Sequence, residues 1–154
     1  MIPDFDLHGN LPPGGHPATI DEVVERFGGP SLSRRKRTEA LCEFYDFARP
    51  FTVRLYVDGS YVTQKLSPND VDIALVLTST FQYETTEGGR LRDRLKLKRR
   101  DRLDVFPYID RRDERECWER VLGWMSDREL NPKGIICVEV RDDQERRPVE
   151  ESAV

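Results

Sequence analysis

Apolar positions along the chain change period several times, and each change marks an element. Phe51 to Val57 is β-branched and aromatic and reads as a first strand. Val71 to Leu77 is an almost unbroken apolar run, which suits a strand buried on both faces. Leu103 to Phe106 is a short third strand, with Pro107 expected to end it or mark an irregularity, and Gly134 to Val140 is the last. Helical spacing alternates with these runs. Thr19 and Glu22 form a capping box for a short helix through about Phe27, closed by Gly28-Gly29-Pro30. Ser33 is placed to cap a second helix reaching about Ala48, with Leu41, Phe44, Tyr45 and Ala48 on one face. Arg49-Pro50 closes it, because proline disfavours helical geometry in the residue before it. Glu114 to Asp127 is a further helix with Cys117, Trp118, Val121, Leu122 and Met125 on one side, broken by Asn131-Pro132. The stretch Arg90 to Arg102 fits a helix through Leu91 and Leu95 and fits a strand through Leu95 and Leu97; helix is the preferred reading.

At 154 residues and 18.0 kDa the chain is about one domain long, and no internal repeat is visible. Residues 1–18, rich in Pro and Gly, read as an extended arm able to pack on a domain spanning 19–140. Residues 141–154 are charged and nearly devoid of large apolar groups, so disorder is expected there. No apolar run approaches the roughly 20 residues of a membrane helix, and neither a secretory signal nor a transit peptide is readable. The expectation is a cytoplasmic protein without a membrane partner. Cys42, Cys117 and Cys137 lack any C-x-x-C pair, which points to reduced, mostly buried thiols rather than a zinc site.

Candidate chemistry concentrates between Leu55 and Leu77. The first strand leads into Gly59-Ser60, and Asp70-Val71-Asp72 stands at the mouth of the second. Side chains two apart on a strand point the same way, so Asp70 and Asp72 project together. Two crowded carboxylates repel unless a cation neutralises them, and oxygen-only ligands of this kind suit Mg²⁺. Glycine lets the backbone approach an anion closely, and a helix beginning at Ser60 would offer N–H groups and a hydroxyl to a phosphate.

Gly-Ser, a spacer and Asp-x-Asp between apolar strands resembles the signature of the polymerase-beta-type nucleotidyltransferase superfamily, the small "minimal" members beside bacterial toxin genes being nearest in size. The segments MIPDFDLHGNLPP and LYVDGSYVT are also similar to an uncharacterised bacterial family assigned to that superfamily. The resemblance implies an α/β (α+β) nucleotidyltransferase fold, a small mixed β-sheet flanked by helices. It implies a third carboxylate, for which Asp104 in Leu103-Asp104-Val105 fits. Asp70 and Asp72 would hold two Mg²⁺ ions, with Mn²⁺ as an alternative, and Asp104 would complete the metal site and help deprotonate an acceptor hydroxyl. Gly59, Ser60 and Lys65 would bind the nucleotide, ATP being the expected triphosphate. Two features depart from the pattern. Asp58 stands where the superfamily has an apolar residue, and Lys65 stands in for an arginine that usually follows Gly-Ser.

Arg90 to Arg102 holds eight Lys or Arg and two Asp. It reads equally as an electropositive wall steering a triphosphate or an RNA acceptor, and as a solvated helix face with internal Asp–Arg pairs. Trp118 is expected in the core and Trp124 at its edge. Three functions remain in competition. One is an enzyme that transfers a nucleoside monophosphate to a protein, an RNA end or a small molecule. Another is a catalytically silent nucleotidyltransferase-like module, such as an antitoxin bound to a toxin-like partner or an assembly subunit. The last is an RNA-binding adaptor working through the basic stretch.

Overall fold

The structure, a computed structural model, describes residues 1–97 and 101–140. The strands are β1 (Gly15–Pro17), β2 (Thr52–Asp58), β3 (Val71–Leu77), β4 (Leu103–Ile109) and β5 (Ile135–Glu139). The α-helices among the described residues are α1 (Ile20–Phe27), α2 (Leu32–Ala48), α3 (Thr86–Leu95) and α4 (Glu114–Gly123). One five-stranded mixed sheet runs β1-β5-β2-β3-β4. β2 is antiparallel to β3 and to β5, whereas β4 lies parallel to β3 and β1 parallel to β5.

β3 explains its own sequence. Val71, Ile73, Leu75 and Leu77 face the larger core, shared with Val23, Phe27, Leu41 and Phe44 of α1 and α2. Ala74 and Val76 face a smaller cluster with Cys117 and Val121 of α4 and with Ile135. Both sides of the strand are covered, so alternation disappears. On α2 the buried positions Arg34, Thr38, Leu41, Tyr45 and Ala48 recur at helical spacing, with two polar members leading the stripe.

Several boundaries differ from expectation for identifiable reasons. The N-cap of α2 is Ser31, whose hydroxyl accepts from Arg34 N, while the Ser33 hydroxyl donates to Pro68 O. β4 continues through Pro107 to Ile109, which its place at the edge of the sheet permits. α4 stops at Gly123, because the segment after it turns around Asp127, whose carboxylate accepts from the backbone of Glu129 and Asn131. α4 buries only Cys117 and Val121, and Trp118 stays 45% exposed with its ring 6.1 Å from Tyr56, so it is not a core residue. α3 begins at Thr86, ahead of the expected stretch; Lys98, Arg99 and Arg100 lie outside the described residues, as does the tail expected at 141–154. Cys117 is buried, Cys42 and Cys137 are half-buried, and none of the three is in a disulfide.

The amino-terminal segment is part of the fold. β1 pairs with β5, Leu11 is fully buried, and Gly9 O accepts from Gln64 N at 2.8 Å. Among the described residues no helix is long and apolar enough to cross a membrane.

Candidate functional site

Sheet register assembles the acidic residues. Asp58 at the end of β2 pairs with Asp72 on β3, and Asp72 pairs with Asp104 on β4. Directly opposed residues project to the same face, with backbones about 5 Å apart, so three carboxylates form one row across three strands. The row lies on the α4 side of the sheet, because Ala74 and Val76 follow Asp72 at the same parity and pack beneath α4. Asp70 sits just before β3 and is exposed. The Asp72 carboxyl is pushed up to about 6, first by burial and then by Asp58, Asp104 and Asp70, against a smaller opposing pull from Lys133. Burial and the neighbouring carboxylates together disfavour the charged form of Asp72. Among the described residues, no group of three or more His, Cys, Asp or Glu side chains stands ready to hold a metal ion.

The Gly59-Ser60 bend closes on this row. Gly59 has φ +90, and a β-carbon there would meet Asp70 O at 3.0 Å, Asp72 N at 3.3 Å and Asp72 Oδ2 at 3.4 Å. Only glycine allows that conformation and that approach without strain. Ser60–Val62 forms a single 3₁₀ turn rather than the longer helix expected, with no side-chain cap. The macrodipole of a full helix is accordingly missing, and backbone N–H groups with the Ser60 hydroxyl are what the bend can offer an anion.

Residues 61–69 are held by the first half of α2. Arg34 donates from Nη1 to Tyr61 O at 2.7 Å, from Nη2 to Thr63 O at 2.7 Å and from Nε to Lys65 O at 3.1 Å. Thr38 Oγ1 lies 2.5 Å from the Tyr61 hydroxyl, Ser31 Oγ donates to Leu66 O at 2.6 Å, and Arg37 Nη1 donates to Asn69 O at 3.1 Å. These contacts fix the path from the bend to Asp70. Sequence reading missed them, although polar Arg34 and Thr38 interrupting a buried stripe are a visible sign that a helix faces backbone carbonyls.

The cations around the row come from distant segments. Lys133, just ahead of β5, is buried and donates to Asp58 Oδ1. Burial pushes the Asp58 carboxyl up while the Lys133 charge pulls it back. Asp58 is thus no stray charge facing a triphosphate. Arg37 and Arg102 flank Asp70: burial and the Arg102 charge lower the Arg37 guanidinium, and the charges of Asp70 and Asp101 raise it. Arg102 holds φ 55 and its carbonyl accepts from Val71 N at 3.1 Å, a left-handed kink beside the acidic row. Lys65 is held at its backbone carbonyl by Arg34, and its side chain is exposed.

Most described residues of the basic stretch are engaged elsewhere. Arg94 stacks over Phe47 at 5.5 Å, Arg92 over Tyr83 at 5.6 Å, and Lys96 Nζ is 3.7 Å from Asp93. Arg102 meets the segment beside the carboxylates through its backbone carbonyl, and its side chain is exposed. A cavity of about 330 Å³ opens at the far end of the same sheet face, lined by residues including Arg54, Tyr56, Tyr108, Asp110, Trp118 and Glu139, away from the acidic row.

A family model described as a family of unknown function (DUF6932) matches residues 3–139, and the chain belongs to that family. No curated protein and no solved structure matches the chain.

Proposed function

We propose that this member of the family of unknown function is a Mg²⁺-dependent nucleotidyltransferase of the polymerase-beta type, moving a nucleoside monophosphate from a triphosphate, ATP above others, onto a hydroxyl. The observation that carries the reading is the register that lines up Asp72 and Asp104 while the Gly59 bend closes on Asp70 and Asp72. The donor atoms are all oxygens, as Mg²⁺ prefers, and the central carboxyl is raised to about 6 by burial and then by its acidic neighbours. Asp70, Asp72 and Asp104 would hold it.

In this reading the Ser60 hydroxyl and the bend's backbone N–H groups take the phosphates, with Arg37 and Arg102 drawing the anion towards the row. Asp104 accepts the proton of the acceptor hydroxyl as that oxygen bonds to the α-phosphorus, and pyrophosphate leaves with the electrons of the broken P–O bond. When bound, Mg²⁺ supplies charge neutralisation for the attacking and leaving oxygens. The acceptor class, whether protein, RNA end or small molecule, is open to assay.

A second reading is a catalytically silent nucleotide-binding module, an antitoxin or assembly subunit for a toxin-like protein. It is favoured by Lys133, whose ammonium already offsets part of the acidic charge. The separating experiment incubates the chain with Mg²⁺ or Mn²⁺, each labelled triphosphate and cell extract as acceptor source. Label transfer lost in Asp70→Ala/Asp72→Ala is the expected result. Metal-dependent nucleotide binding without transfer would select the silent module, and neither binding nor transfer would remove both.

A further inference from the structure

We infer that the cavity at the amino-terminal end of α4 is a binding site for a small organic cation, an ammonium group carried on a flat or aliphatic body. It stands apart from the acidic row and does not depend on the nucleotidyltransferase reading. Val76 and Tyr108, which line it, lie four residues along β3 and β4 from Asp72 and Asp104. At the rise of a strand that is about 13 Å. Ala74 packs with Cys117 and Val121 of α4 in between. About 330 Å³ is left open between the first turns of α4 and the sheet, a volume within the lower range of small-molecule sites.

The lining combines aromatic rings with an excess of acid. Tyr56, Tyr108 and Trp118 supply the rings, and Trp118 stays 45% exposed although its ring lies 6.1 Å from Tyr56. Aromatic faces attract cations, indole most strongly. The charged lining sets the carboxylates of Asp110, Asp113, Glu114 and Glu139 against the guanidiniums of Arg54 and Arg111. Arg54 is already engaged: its Nε donates to Glu139 Oε1 at 3.0 Å, and its Nη1 lies 3.9 Å from Asp110 Oδ1. The Arg111 side chain is exposed. An incoming anion would have to draw Arg54 away from two carboxylates, whereas a cation meets the surplus of negative charge. Burial pushes the Cys117 thiol up to about 11 and the Tyr56 phenol up to about 12, so both are neutral at pH 7. Neither is a ready nucleophile, and the ligand is held without a covalent bond.

The chain's two tryptophans make the test local, because Trp124 packs on Phe106 and does not line the cavity. Benzylamine is titrated into the full chain while the two indole N–H signals are followed by nuclear magnetic resonance. One signal is expected to shift saturably and the other to stay in place. Trp118→Leu, at an exposed position, should remove the moving signal and cost at least about fivefold in affinity by calorimetry. Benzyl alcohol, the neutral match, should bind at least about fivefold more weakly than benzylamine, and benzoate should not bind. Capped Gly-Lys-Gly set against n-butylamine separates the two sources of such a cation. Equal affinity supports a free amine, and a gain of about tenfold in the peptide supports a lysine side chain from another protein. Indole signals that do not move, equal affinity for benzylamine and benzyl alcohol, or tighter binding of benzoate would each overturn the inference. These wild-type titrations need no variant to fold.

Discussion

Arg34 and Lys133 are both cations shut away from water, at 5% and 7% exposure, yet they meet opposite partners. Arg34 donates to backbone carbonyls of Phe27, Tyr61, Thr63 and Lys65. Its planar fork satisfies several acceptors at once, as a guanidinium can and an ammonium cannot. Lys133 meets a carboxylate, Asp58, which stands in line with two others. One cation organises a loop of neutral acceptors, and the other balances charge inside an acidic row. The contrast separates what builds the site from what sets its electrostatics, and substitutions can sharpen or break it.

The largest effect belongs to Lys133→Met. It leaves Asp58 buried without a counter-charge, and about 3–5 kcal/mol of stability is expected to be lost at neutral pH by urea unfolding. Adding Asp58→Asn should return most of that loss, since the uncompensated charge goes with it. A Lys133→Met chain as stable as wild type would break the distinction. Arg34→Met should cost about 2–3 kcal/mol, because several carbonyls lose charged donors and part of that is recovered by water. Its cost, unlike that of Lys133→Met, should not shrink when Asp58 is changed to Asn. Gly59→Ala comes next, at about 1–3 kcal/mol, from a non-glycine residue forced to φ +90 against Asp70 O at 3.0 Å. Nucleotide binding should fall with it.

The smallest effect concerns pH. In the folded chain the Asp72 carboxyl protonates near about 6 rather than at the ordinary 3.8. Between those values the folded chain holds more protons than the unfolded one, so stability falls as pH rises through that window. The penalty is complete above about 6 and absent below 3.8. Asp72→Asn should therefore raise the melting temperature above the window and leave it unchanged below. Mn²⁺ should stabilise the wild type more at the upper end, where the carboxylate is ionised. A flat difference between the two proteins across pH would remove the crowding of charge from the account.

Much of this was legible in the residues themselves. The capping box at Thr19 and Glu22 forms as read, since its partners lie three residues apart and need no tertiary help. β2, β3 and β5 were readable because their apolar runs are long for their length. Trp118 was misplaced because amphipathic spacing shows which side of a helix is apolar, not how wide a strip its partner covers. The extent of β4 was missed because a proline is tolerated or excluded according to whether the strand is central or at an edge.

The acidic residues and the glycine bend were fixed by local chemistry. Gly59 needs no partner to permit a positive φ, and the strand that carries Asp72 is legible from its own apolar run. What those side chains face was decided by long-range pairing. Asp58 and Lys133 are 75 positions apart, and Asp104 reaches Asp72 only through parallel pairing after a long crossover. Register between distant strands arises when the core packs, and no local pattern of residues encodes it.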